Sequence, residues 1–132
     1  MIAYHLEVTT FDPAAAATKS ILEHARQVSA SLQELPRSGV VFVAAIEKNI
    51  DHGNFYVFLN AAGRAHVTLH EHRELLPRDP LSAGESGETA FLAEDGTQFT
   101  VAAKLTTSTD RARAALEYWL PRQERWPQFE WE

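Results

Sequence analysis

Three histidines in the middle of the sequence are spaced so that they could bind a metal ion. His66, His70 and His72 would lie on one side of a strand if the strand beginning at Arg64 ran on to residue 72. Imidazoles at alternate strand positions can supply zinc ligands. However, Glu71 and His72 already belong to an irregular segment, which favours hydrated polar side chains over a metal site. We therefore expect no metal, and a small metal-binding protein or enzyme using these histidines stays as an alternative hypothesis.

Carboxylates are the second group of residues that could take part in catalysis. Glu85, Glu88, Glu94 and Asp95 lie between Gly84 and Phe99, a stretch without a basic residue. Acid–base catalysis needs two carboxylates in a closed pocket with pKa values pushed apart, whereas these residues fall in a long loop and a hairpin turn. Nucleophile-elbow, phosphate-loop and dinucleotide-binding motifs are absent from the sequence. The sequence thus predicts a protein that is not an enzyme and binds no cofactor.

The elements that would position these residues follow from periodicity. Ile2 to Val8 alternate as a first strand, Asp12 and Pro13 begin a helix, and the apolar stripe of that helix runs from Ile21 to Leu35. Val40 to Ile46 is apolar on both faces, which is typical of a central strand. Residues 51–54 form a turn before the strand Phe55–Leu59.

The second half of the chain is predicted to be dominated by hairpins. Residues 60–63 join Phe55–Leu59 to the strand Arg64–His70, whose polar face we expect to be wet. An irregular loop covers residues 71–89, and Asp95-Gly96 marks a second hairpin. A second helix begins at Ser108, Thr109 or Asp110 and stops at Pro121, and a last strand holds Phe129 and Trp131.

These elements follow one another in the order β-α-β-β-β-β-β-α-β. This predicts an α+β fold with a mainly antiparallel sheet, two flanking helices and a single domain over residues 1–132.

Composition restricts the classes of partner. The chain carries a formal net charge of −6 and only three lysines, which argues against direct binding of nucleic acid. No cysteine occurs, and this fits the reducing cytoplasm. We expect neither a signal peptide nor a membrane span. An acidic domain is suited to a basic protein partner, because complementary fields speed their encounter.

The acidic stretch is the predicted docking surface. Loops and hairpin tips are where binding residues concentrate, so Glu85, Glu88, Glu94 and Asp95 are the charged candidates. Phe91 or aromatic residues of the Phe55–His70 hairpin would supply the apolar part of the interface. Trp126, at a corner before Pro127, is a further partner-binding candidate, with burial in the core as its alternative.

The C-terminal third resembles a known family. Its helix from Thr109 to Leu120, a short polar turn and a Pro-containing segment ending in Trp131 are similar to the end of the Imm1 immunity proteins of bacterial polymorphic toxin systems. The matching positions are Ala112, Ala115, Leu116, Trp119, Leu120, Pro127 and Trp131. The upstream order of elements also resembles that family.

This resemblance implies a function. Members of the family bind and neutralise a cognate toxin, often a deaminase or nuclease, by covering it stoichiometrically. An acidic inhibitor that covers a basic active-site cleft is physically reasonable.

The sequence is also compatible with a different function and with more than one oligomeric state. An effector-secretion chaperone is also small, acidic and α+β, and is a further alternative function. Oligomeric state is undetermined, because an exposed edge strand, either Ile2–Thr9 or the C-terminal strand, could pair with a second copy.

Overall fold

The main sheet is built around the apolar strand β3. The computed structural model describes residues 2–11 and 14–132. The strands of the sheet follow the order β10-β5-β4-β3-β1-β2, all antiparallel, with β6 pairing to β5. Their bounds are β1 Ala3–Thr10, β2 Ala16–Leu22, β3 Gly39–Glu47, β4 Ile50–Leu59, β5 Arg64–His70, β6 Glu74–Leu75 and β10 Thr107–Ser108. The predicted α+β class with a mainly antiparallel sheet and two α-helices is confirmed, and Val40 to Ile46 lies centrally as predicted.

Register divides the side chains of the sheet into two faces. Leu6, Val43, Phe55 and Leu69 are register partners from β1 to β5 and are all buried on the inner face. The outer face carries the alternate residues, including Glu7, Phe42, Tyr56 and Thr68.

Two helices cover the inner face. The helix α2 (Thr109–Arg122) begins at Ser108, whose side chain accepts a hydrogen bond from the Arg111 amide at 3.2 Å. The predicted inner stripe is confirmed, since all of its members are buried: Ala112, Ala115, Leu116, Trp119 and Leu120. The helix runs one residue past Pro121 and ends where Gln123 adopts a left-handed conformation, with φ of 52°. The shorter helix α1 (Ala25–Ser31) contributes the fully buried Val28.

The first predicted helix is wrong over its N-terminal half. Residues 16–22 form β2, which pairs with β1 from Tyr4↔Leu22 to Thr10↔Ala16. Ile21, predicted to be part of the helical stripe, lies 69% exposed on this strand. Pairing with β1 overrides a local sequence whose alanines favour helix. The predicted helix start at Asp12 and Pro13 lies outside the described residues.

Strand β2 also corrects the predicted edge of the sheet. The predicted edge strand Ile2–Thr9 is internal, because β1 lies between β2 and β3. The C-terminal strand β11 (Glu130–Trp131) pairs with β7 (Pro77–Arg78) in a small separate sheet.

The turn predicted at residues 51–54 lies earlier in the chain. Lys48 and Asn49 take φ values of 51° and 66° between the paired residues Glu47 and Ile50. Two successive residues at positive φ form a tight hairpin turn, and residues 51–54 therefore belong to β4.

The long loop over residues 71–89 is ordered by an ion pair between the buried Asp79 and the partly exposed Arg111. It contains β6, β7 and a 3-10 turn, Pro80–Ser82. Arg111 donates from Nε and Nη2 to Asp79 at 2.8 and 3.0 Å, and Thr107 Oγ1 donates to the same carboxylate. Burial would raise the pKa of Asp79, but the hydrogen bonds from Arg111 and Thr107 outweigh it and lower that pKa. This pair fixes the loop to the start of α2.

Candidate binding face

A second, smaller layer covers part of the outer face. The strands β8 (Glu88–Leu92) and β9 (Gln98–Ala102) form the predicted Asp-Gly hairpin. Its rings pack on the sheet, with the Phe99 centroid 5.1 Å from Phe58 and the Phe91 centroid 6.1 Å from His66. The hairpin crosses the strands below it, because Val101 near its base lines a groove with His66 and Thr68 of β5, whereas a Cβ on Gly96 in its turn would lie 3.9 Å from Phe11, which follows β1. The face of β5 expected to be wet is thus partly covered, and His66 and Thr68 are buried.

The hairpin leaves a strip of the outer face uncovered. This strip, which we call the open face, consists of Glu7, Phe42, Tyr56 and His70. Phe42 and Tyr56 form its centre, with ring centroids 4.7 Å apart, and Phe58 stacks on Tyr56 at 5.8 Å. Both central rings are only half-buried.

Two grooves run along the open face. The first has a volume of about 450 Å³ and lies between β9 and the sheet. The second, of about 430 Å³, lies towards β2. The first groove is lined by Tyr56, Phe58, His66, Thr68, His70, Glu74, Leu76, Phe99, Val101 and Leu105. The second is lined by His5, Leu6, Glu7, Lys19, Ser20, Ile21 and Phe42.

Carboxylates stand at both ends of the open face. Partial loss of hydration raises the pKa of Glu94, the nearby Glu7 raises it further, and Lys19 opposes both. Burial followed by the charges of Glu94 and Glu7 raises the pKa of the Tyr56 hydroxyl. At the other end, Glu74 accepts a hydrogen bond from His70 Nε2 at 3.0 Å. The rings therefore lie in a negative field.

The three histidines of the predicted alternative site are separated. His66 is buried and its Nδ1 donates to the Leu105 carbonyl at 3.2 Å, while His70 contacts Glu74. The strand ends at His70, so His72 lies in an exposed turn, beside the groove that Asp51 and Glu71 line. Within residues 2–11 and 14–132, no group of three or more histidine or carboxylate side chains is placed to hold a metal ion.

The predicted docking residues take different positions. Glu88, Glu94 and Asp95 are exposed on the β8–β9 hairpin, whereas Glu85 pairs with Arg64 at 3.3 Å. Of the two predicted sources of apolar interface area, Phe91 is only 2% exposed and packs against His66 and Phe99, whereas Tyr56 of the Phe55–His70 hairpin lies on the open face.

Trp126 is half-buried on the other side of the sheet. It packs against the inner core, and the Arg111 guanidinium lies 5.1 Å from its ring centroid. The structure therefore does not bring it together with the acidic hairpin.

Of the two central rings, Tyr56 belongs to the Phe55–His70 hairpin whose aromatic residues are predicted interface candidates, whereas the sequence does not indicate Phe42. Phe42 lies in a run that is apolar on both faces, which indicates two covered faces rather than an open one. The alternation of β4 gives the available signal, because Tyr56 falls between the inward-facing Phe55 and Val57.

Comparison with known proteins adds no identification. No protein-family model matches the chain, and no curated protein matches it. In the part of the chain that the structure describes, no helix has both the length and the apolar character needed to cross a membrane.

Proposed function

We propose that this protein is an immunity protein of the bacterial cytoplasm that binds and neutralises a basic toxin domain. The toxin would be of the deaminase or nuclease class, and it would be inhibited by stoichiometric occlusion. The observation that carries the proposal is the open face, where the half-buried rings of Phe42 and Tyr56 lie between Glu7 and Glu94 at one end and Glu74 at the other.

The composition of this face suits a protein interface. Aromatic residues at the centre of an interface supply most of its binding energy, while charged residues at the rim set encounter rate and specificity. A toxin that acts on nucleic acid needs a basic cleft to hold phosphates, and the carboxylates Glu7, Glu74, Glu88, Glu94 and Asp95 would meet such a cleft. The resemblance of the C-terminal helix and strand to Imm1 proteins supports the immunity role.

The first test is capture of the partner. The tagged protein, expressed in its native host, is purified and its companions are identified by mass spectrometry. We expect a basic toxin domain in a one-to-one ratio. Recovery of a nucleic acid, or of a partly unfolded client bound to a dimer, would contradict the immunity function.

Variants of the open face make the test specific. Replacing Tyr56 by alanine should weaken capture by about 2 kcal/mol or more, because central aromatic residues are the usual hot spots. Leu81→Ala is the matched control, since Leu81 is 73% exposed and lies outside this face. Equal capture by both variants and the parent protein would exclude the open face as the interface.

A further inference from the structure

The strand β9 has an outer edge whose backbone groups point along the open face. The hairpin is closed by hydrogen bonds from the Ala93 amide to the Thr97 carbonyl at 2.8 Å and from the Ala103 amide to the Gly87 carbonyl at 2.9 Å. Between these ends, hydrogen-bonded and non-hydrogen-bonded pairs alternate. The pairs Phe91↔Phe99 and Thr89↔Val101 are thus bonded within the hairpin.

The remaining residues of β9 direct their amides and carbonyls away from β8. These are Gln98, Thr100 and Ala102, which form non-bonded pairs with Leu92, Ala90 and Glu88. On the other strand, the Ala90 carbonyl points outward in the same way and accepts a hydrogen bond from Asn60 Nδ2 at 3.1 Å. Among the described strands, β9 pairs with β8 alone.

The free edge of β9 borders the open face directly. Phe99 and Val101 line the same groove as Tyr56 and Thr68. A strand added to β9 would lie about 4.8 Å further across the sheet, above the row in which Glu7, Phe42 and Tyr56 are register partners. It would enlarge the upper layer from two strands to three and cover the half-buried rings of Phe42 and Tyr56.

The dimensions of the face set the length and chemistry of such a strand. From Glu7 on β1 to Glu74 on β6 there are four strand spacings, or about 19 Å, which an extended chain spans in about six residue steps. Its alternate side chains would point down, with basic residues at each end and apolar residues over Phe42 and Tyr56. Charge complementarity at both ends favours a basic segment over a second copy of this acidic chain.

We infer that the open face binds an extended, basic-ended segment of the partner protein, which pairs by backbone hydrogen bonds with the outer edge of β9. This inference rests on the proposed function, because it specifies how the toxin domain is held. Strand addition of this kind combines backbone hydrogen bonds for affinity with side-chain pockets for specificity.

A synthetic probe tests the pairing without the toxin. The acetylated and amidated peptide Lys-Thr-Val-Thr-Val-Thr-Lys has lysines and valines on one face of a strand and the length that the groove requires. On titration into the isotope-labelled protein, we expect new protection from amide exchange at Gln98, Thr100 and Ala102. The amides of Phe99 and Val101 should change little, because they already bond to β8.

Matched controls test whether peptide binding depends on the charge of the peptide and on the outer edge of β9. A peptide with glutamate in place of both lysines should bind at least about tenfold more weakly. Thr100→Pro removes one outward amide at an edge position where proline is tolerated, and should weaken binding of the lysine peptide about tenfold. Thr100→Ala keeps the amide and should bind as the parent protein does.

The outcomes separate this inference from the proposed function. No binding at millimolar peptide, or protection along β2 instead of β9, overturns strand addition even if the toxin is captured. Binding at β9 with the alternating pattern supports strand addition even if capture recovers a nucleic acid, an outcome that would contradict the immunity function alone. Dimerisation of the free protein through β9 would also overturn it.

Discussion

His66 is a buried titratable residue that packs against aromatic rings. Its ring lies between Phe58, Phe91 and Phe99, and Nδ1 donates to the Leu105 carbonyl. Burial lowers the pKa of His66, and the smaller effects of Leu105 and Glu74 oppose it. The folded protein therefore favours the neutral ring, which fits a packing role better than the metal-ligand role considered from the sequence.

This burial makes stability depend on pH. The folded pKa of His66 lies below its unfolded value of about 6.5, so the unfolded chain binds more protons between the two values. Its contribution to stability is complete above about pH 6.5 and is lost as pH falls through the folded pKa, with a slope of at most about 1.4 kcal/mol per pH unit.

Urea unfolding at pH 7.5 and pH 5.5 measures this effect. Stability of the parent protein should fall more between these pH values than that of His66→Gln. The exposed His72 gives the control variant His72→Gln, which should behave as the parent protein does. An equal loss in His66→Gln and the parent would show that His66 does not cause the dependence.

At the scale of elements, the sequence predicts what periodicity or turn chemistry encodes. The strand β3, the two hairpin strands β8 and β9, and the stripe of α2 follow from local patterns and are confirmed. The strand β2 was not predictable, since its Ala16–Leu22 sequence has exposed side chains on both faces and gains its structure from pairing with β1. For the same reason the open face was only partly predictable. The sequence shows its aromatic residues, but it does not show where the β8–β9 hairpin packs above them.

Close approach of β1 and β3 depends on one glycine. A Cβ on Gly39 would lie 2.1 Å from the Thr9 carbonyl oxygen and 3.2 Å from Pro36 Cγ. Because the nearest atom belongs to the backbone of a paired strand, only separation of the strands could relieve the overlap.

We expect Gly39→Ala to lower the free energy of unfolding by at least about 2 kcal/mol, as overpacking does in a close-packed interior. Gly84→Ala is the control, because nothing lies within 4 Å of a Cβ there, and its change should stay within about 0.5 kcal/mol. Similar midpoints in chemical denaturation for the two variants would contradict the close approach.

For the whole molecule, we expect the position of the acidic residues to affect association with a partner more than the net charge does. Glu88, Glu94 and Asp95 are exposed on the hairpin layer, whereas Glu23, Glu34 and Glu117 are exposed outside it. Reversing either set to lysine raises the net charge from −6 to neutral. The two variants therefore have equal net charge and differ in where it changed.

Association with the captured toxin domain should distinguish the two sets. At low salt, the hairpin variant should associate about tenfold more slowly than the parent protein, because local fields steer encounter. The second variant should slow much less, and both differences should shrink at high salt. Equal slowing in stopped-flow measurements would show that only net charge acts.

One hydrogen bond connects the first strand with the end of the last helix. The Tyr4 hydroxyl donates to the Leu120 carbonyl at 2.6 Å, across 116 residues of chain. On a ribosome, the sheet strands emerge long before α2, and their apolar inner face stays uncovered until residues near Leu120 leave the exit tunnel. Closure of the core is therefore a late event of synthesis, and the nascent chain exposes aggregation-prone surface for most of its translation.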